Sequence, residues 1–122
     1  MARVLVADDA SFMRQMIREI VEAEGHEVVG EASDGDEVVE EFKRLQPDVV
    51  TMDIVMPRRS GIDAVKAILA VDRSAKIVMC SALGQETLVQ EAVEAGAVDF
   101  IVKPFKPDAV IATLGKALEK SE

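Results

Sequence analysis

A parallel α/β sheet with helices on both faces is the fold class that this sequence predicts, and three observations carry it. Short apolar runs alternate with longer helical patterns five times along 122 residues, and strands that alternate with helices build βαβ units. The central runs are rich in Val and Ile and mostly continuous rather than alternating, as in strands covered on both faces. A closed barrel would need eight such units, so five make an open sheet.

The first strand is "RVLVA" (3–7). The helix after it, "SFMRQMIREIVEAEG" (11–25), places Phe12, Met16, Ile17, Ile20 and Val21 near helical spacing and closes on Gly25, a residue suited to a left-handed cap. Among Phe12, Met13 and Met16, at least two are expected in the core, since Met and Phe at this spacing more often pack than bind. His26 follows as an exposed turn residue without the further ligands a zinc site needs. The second strand, "EVVGE" (27–31), is the most polar and suits a sheet edge. Val38, Phe42 and Leu45 stand at steps of four and three in the helix "DEVVEEFKRL" (36–45).

The third strand is "DVVTM" (48–52), and "GIDAVKAILAV" (61–71) is helical. Cys80 lies in the fourth strand, "KIVMC" (76–80), and as the only cysteine it reads as a small buried thiol. "QETLVQEAVEAG" (85–96) is a helix ending on Gly96, and "DFIVK" (99–103) is the fifth strand. The last helix begins near Pro107 and runs through "AVIATLGKALEK" (109–120). Gly115 inside it costs about 1 kcal/mol relative to alanine, which marks this helix as the least stable.

Nothing in the chain reads as a linker, a low-complexity tract or a repeat beyond the β-α alternation, so one domain spanning 1–122 is expected. With 49% apolar and 30% charged residues it has a globular composition. No run of eighteen apolar residues or charged-then-apolar leader appears, so the expectation is a soluble, cytoplasmic protein with no membrane partner. The net charge of −9 argues against nucleic acid as a direct ligand, because phosphate binding needs clustered Lys and Arg. Proteins and cations are the expected partners.

In open α/β sheets ligands bind at the carboxyl ends of the strands. The residues there are Asp8 and Asp9, Asp53, Ser81 and Lys103. Helix capping explains a single polar residue at such a position, but not three acids, a hydroxyl and a lysine at four strand ends out of five. Two carboxylates about 5 Å apart repel by roughly 3 kcal/mol at an effective dielectric near 20, so the adjacent acids need a cation. Mg²⁺, which prefers a few carboxylates, a carbonyl and retained water, fits that donor set, and the Lys103 ammonium offsets further charge. A carboxylate beside a metal and an ammonium can act as a nucleophile towards phosphorus. Asp53 is the candidate nucleophile, with Ser81 placed to donate a hydrogen bond to a phosphoryl oxygen.

The acid pair "DD" after the first strand, "MDIVMPRRSG" around the third, "CSA" after the fourth and "KPF" after the fifth resemble the response-regulator receiver family over essentially the whole chain. The resemblance implies a flavodoxin-like (βα)5 fold with strand order 2-1-3-4-5. It also implies a two-component phosphorelay response regulator in which Asp53 accepts a phosphoryl group from the phosphohistidine of a sensor histidine kinase. Such a protein is not a conventional enzyme, although it catalyses its own phosphorylation and slow self-dephosphorylation. By the same resemblance Asp9 and Asp53 are direct Mg²⁺ ligands, Asp8 acts largely through water, and the backbone carbonyl of Val55 is a further ligand. Lys103 contacts the phosphoryl group, and the Lys103–Pro104 bond is cis. Gly61 opens the next helix. Phe100 matches the switch aromatic that moves with Ser81, where the family often has tyrosine.

Within the family, "ADDASFMR" and "CSALGQETLVQEAVEAGAVDFIVKPF" are most similar to the stand-alone chemotaxis members of archaea, deeply branching bacteria and Gram-positive bacteria. That similarity implies a monomer whose output partner is a motor-switch component or an adaptor to one. The signalling face would lie around the fourth helix, fifth strand and fifth helix, at residues such as Leu88, Val89, Val102 and Ile111. Val55 and Leu83 flank the path of the hydrolytic water in the family, and neither can orient it, so a separate phosphatase is expected. A receiver cut from a larger regulator is the alternative. Two other classes share the acids. Metal-dependent aspartyl phosphatases, with Asp8 as nucleophile, carry "DxD" where this chain has "DDA", and they need a cap-sized insertion. A flavodoxin-like nucleotide binder would have a first loop rich in Ser, Thr and Gly, whereas "ADDAS" repels phosphate without a metal.

Overall fold

The structure, a computed structural model, describes residues 1–119. Strands β1 (Arg3–Ala7), β2 (Glu27–Ala32), β3 (Val49–Asp53), β4 (Ile77–Ser81) and β5 (Asp99–Val102) form one parallel sheet in the order β2-β1-β3-β4-β5. The connecting helices are α1 (Ser11–Ala23), α2 (Gly35–Leu45), α3 (Gly61–Val71), α4 (Glu86–Ala95) and α5 (Pro107–Glu119). The predicted end of the last helix at Lys120 lies outside the described residues.

Side chains alternate across a strand, so each strand feeds two cores. From β3, Val50 and Met52 join Val38 and Phe42 of α2 and Val65 and Ile68 of α3 on one face. Val49 joins Ile17 and Val21 of α1 and Val110 and Leu114 of α5 on the other. Every residue of β3 and β4 is buried, which explains their continuous apolar runs, whereas β2 and β5 are partly exposed edges. Fully burying side chains such as Ile68 and Leu114 contributes about 2–3 kcal/mol each. Among the described residues no helix is long and apolar enough to cross a membrane.

Local chemistry sets the helix ends. Asp34 caps α2 by accepting the Glu37 N–H at 2.7 Å, and Ser60 caps α3 by accepting the Asp63 N–H at 3.1 Å. Gly25 takes φ +89° just beyond α1, the left-handed turn expected of it. Within α1, Ile17 and Val21 are fully buried, while Met13, Met16 and Ile20 pack partly against the core. Phe12 departs from its spacing and stands 66% exposed: it lies in the first turn of α1, outside the cluster that packs Met13, Met16 and Ile20. His26 also departs from expectation. It is half-buried, and its Nδ1 accepts the Ala2 N–H at 3.0 Å, tying the chain start to β2. Cys80 is buried as expected, and burial pushes its thiol up to about 12, which makes it inert at neutral pH.

Gly115 lies in α5 with open space where a Cβ would stand. Gly115→Ala is therefore expected to stabilise the fold by roughly 0.5–1 kcal/mol. A rise in the urea midpoint with unchanged slope would show it; a fall would mean that α5 needs the glycine.

Candidate functional site

The chain leaves β1 towards β2 on one side and later returns to the other side of β1 as β3. This reversal opens a crevice at the carboxyl ends of β1 and β3, where α/β sheets bind ligands. Asp8 and Asp9 follow β1 there, and Asp53 ends β3. One oxygen from each of the three carboxylates lies within 4.8 Å of the others. Asp8 and Asp53 are buried, at 4% and 8% exposure, and Asp9 is exposed.

Each polar atom of Asp8 has a partner. Its N–H donates to the Ala32 carbonyl at 3.0 Å, and its own carbonyl accepts from Arg14 Nη1 at 2.6 Å. Its Oδ1 accepts the Ala10 N–H at 2.9 Å, and its Oδ2 accepts from Lys103 Nζ at 2.9 Å. The same ammonium lies 3.3 Å from Asp53 Oδ1. Lys103 thus spans the two buried acids from the far edge of the sheet, held by its own N–H donating to the Ser81 carbonyl at 2.7 Å and followed by a cis Lys103–Pro104 bond.

Burial, and next the neighbouring Asp8 charge, push the Asp53 carboxyl up to about 6, although Lys103 pulls it down. Burial opposes the charge on Lys103, but the Asp8 and Asp53 carboxylates outweigh it and hold its pKa above the ordinary lysine value. Lys103 therefore stays an ammonium at neutral pH.

Behind Asp53 the chain turns tightly into α3. The Gly61 N–H donates to the Ile54 carbonyl at 2.7 Å, and a Cβ at residue 61 would strike the backbone of Asp53 and Ile54. That contact accounts for the glycine in "MPRRSG". Arg58 adopts φ +69°, its Nε 3.2 Å from Asp34 Oδ2, and Arg59 Nε donates to Asp36 Oδ1 at 2.9 Å. These pairs clamp the β3–α3 loop to the start of α2. Sequence reading missed them, because separate acidic and basic stretches read equally well as solvated faces. Val55 lies in this loop and is 55% exposed.

Ser81 is buried at the end of β4, and Phe100 on β5 is 41% exposed. Both line a cavity of about 280 Å³ between α4 and β5, together with Leu83, Val89 and Val102. Ile111, expected on the same face, lies instead in the groove between α1 and α5, beside Met16 and Ile20. Its position on α5 turns it towards α1 rather than towards α4.

The donor chemistry of the crevice fits a hard divalent cation. Three carboxylates and one ammonium leave two negative charges uncompensated, and all the side-chain donors are oxygens, as Mg²⁺ prefers and a zinc site does not.

Residues 4–115 match the response regulator receiver domain family. The chain is 56% identical to the chemotaxis protein CheY of Thermotoga maritima, over 93% of this chain and 95% of that protein. It is 52% identical to the chemotaxis protein CheY of Bacillus subtilis, over 95% and 97% respectively. Among solved structures, the CheX-CheY-BeF3-Mg complex from Borrelia burgdorferi superposes with a TM-score of 0.91 at 36% identity, covering 97% of this chain and 90% of the matched one. The strand order, the acids at the switch point and these similarities agree: the chain belongs to the response-regulator receiver family.

Proposed function

We propose that this receiver is a cytoplasmic, CheY-like switch in which Asp53 accepts a phosphoryl group from a sensor histidine kinase in a Mg²⁺-dependent step. The observation that carries the reading is the trio of carboxylates drawn together around the Lys103 ammonium. Asp8, Asp9, Asp53 and the Val55 carbonyl would hold the cation, which supplies charge neutralisation for the phosphoryl oxygens. A carboxylate oxygen of Asp53 attacks phosphorus, the new O–P bond forms as the N–P bond of phosphohistidine breaks, and the imidazole leaves with the electron pair. Lys103 then offers its ammonium to a phosphoryl oxygen, and Ser81 donates its hydroxyl to another.

The cavity shared by Ser81 and Phe100 supports a switch of the kind the family uses. Drawing Ser81 towards the new oxygens clears space into which the half-exposed Phe100 ring turns, changing the α4–β5 surface at Val89 and Val102. The similarity to chemotaxis proteins supports a motor-switch component or an adaptor as the reader of that surface, and the Borrelia complex supports a CheX-like partner.

Incubation with Mg²⁺ and acetyl phosphate tests the function. One acid-labile phosphoryl group per chain, absent in Asp53→Asn and in excess EDTA, is expected. Turnover of acetyl phosphate that persists in Asp53→Asn would instead indicate a phosphatase acting through another residue, and no labelling would overturn the reading.

The lifetime of that group is a separate expectation. Val55 and Leu83 are 55% and 80% exposed, and neither side chain can orient a water. Val55→Asn combined with Leu83→Glu is expected to speed phosphoryl decay in excess Mg²⁺ by about tenfold or more, equivalent to roughly 1.4 kcal/mol of barrier. Decay no faster than wild type would show that these positions do not set the lifetime.

A further inference from the structure

Asp8 and Asp9 share one peptide unit, and the carbonyl of that unit is the Asp8 oxygen that accepts from Arg14 Nη1 at 2.6 Å. Arg14 is itself braced. Its Nε donates to Glu31 Oε1 at 2.8 Å, while the other Glu31 oxygen accepts from Arg18 Nη2 at 2.6 Å and from Arg18 Nε at 3.0 Å. The side chains of Arg14 and Glu31 are only 17% and 32% exposed, so this network is partly desolvated. A planar guanidinium that spends one arm on a carboxylate and another on a carbonyl holds both in a fixed relation.

We propose that Arg14 is a positioning residue for the acid pair: braced on Glu31, it fixes the plane of the Asp8–Asp9 peptide and so aims both carboxylates into the crevice. The proposal rests on reading that crevice as a Mg²⁺ site. Asp8 has further anchors in Ala10, Ala32 and Lys103, but the exposed Asp9 carboxylate depends on the orientation of the peptide that precedes it. Rotation of that peptide would swing Asp9 away from Asp53.

Electrostatics and positioning predict opposite signs here, which makes the proposal testable. An arginine one hydrogen bond from Asp8 repels a bound cation, so charge alone would make Mg²⁺ bind more tightly once Arg14 is removed. Loss of positioning would make it bind more weakly, since groups that orient metal ligands typically contribute tenfold or more to affinity. Arg18 serves as the control, because it shares the helix, the charge and Glu31 but makes no hydrogen bond to Asp8.

The experiment is calorimetric titration of wild type, Arg14→Met and Arg18→Met with Mg²⁺ alone, with far-UV circular dichroism to check the fold. Arg14→Met is expected to bind about tenfold more weakly, and Arg18→Met within about twofold of wild type or more tightly. Wild-type binding with equal or tighter binding by Arg14→Met overturns the positioning role, as does an equal loss in both variants. Absence of binding by wild type overturns the metal reading instead. Should Arg14→Met not fold, Glu31→Gln keeps the guanidinium and weakens only its brace; a loss of about threefold is then expected, and unchanged affinity overturns the proposal.

Discussion

Asp53→Asn is expected to stabilise the metal-free protein at neutral pH by up to about 3 kcal/mol, while removing the proposed phosphoacceptor. Burial and the Asp8 charge raise the Asp53 carboxyl from 3.8 to about 6, with the attraction of Lys103 already included in that balance. A shift of about two units corresponds to roughly 3 kcal/mol between the two protonation states. The sign follows from proton counting. Between about pH 4 and 6 the folded state binds more protons at this carboxyl than the unfolded state, so its contribution to stability is full below the unfolded value and is lost as pH rises through about 6. Asparagine cannot ionise and escapes that loss. Urea unfolding in EDTA should show the variant ahead of wild type at neutral pH and level with it near pH 4. A difference independent of pH would contradict the desolvated carboxylate described above. Added Mg²⁺ should narrow the gap, because a cation that binds only the folded state stabilises wild type by mass action.

Lys103→Ala is expected to act in the opposite direction and at least as strongly. Its ammonium is 2.9 Å from Asp8 Oδ2 and 3.3 Å from Asp53 Oδ1, both on buried residues. Removing one partner from a buried ion pair typically costs about 3–5 kcal/mol, because the remaining charge stays desolvated and unpaired. Here two carboxylates would be left facing each other. The deficit should shrink as pH falls and Asp53 takes up its proton, and Mg²⁺ should recover most of it by replacing the missing positive charge. A loss of the same size at neutral pH and near pH 4, unaffected by Mg²⁺, would mean that Lys103 acts through packing of its stem instead.

The elements were legible because their periodicities are unambiguous. Continuous Val and Ile runs marked β1, β3 and β4, the polar "EVVGE" marked an edge, and Gly25 and Gly96 marked helix ends. The candidate site was legible for a different reason. The carboxyl-end rule gathers residues from distant parts of the chain, and Asp8, Asp9 and Asp53 do meet there with Lys103. Phe12 was misplaced because helical spacing says which residues share a face but not which of them the rest of the fold covers. His26 was misjudged because its partner is a backbone N–H at the start of the chain, which no spacing rule reaches. The contacts of Arg14 with Glu31 and of Arg58 and Arg59 with Asp34 and Asp36 were invisible for a related reason. In a chain with 23 acidic and 14 basic residues, many pairings are equally consistent with the sequence until the fold selects among them.

The central claim is that Asp53, rather than either of its acidic neighbours, carries the phosphoryl group. An acyl phosphate on a carboxylate is reduced by borohydride to an alcohol, so treatment after labelling with acetyl phosphate and Mg²⁺ leaves a permanent mark at the acceptor. Peptide mass spectrometry of the reduced protein should find homoserine in place of Asp53, with Asp8 and Asp9 intact. Reduction at Asp8 or Asp9, or a phosphoryl group on a residue outside the crevice, would contradict the account.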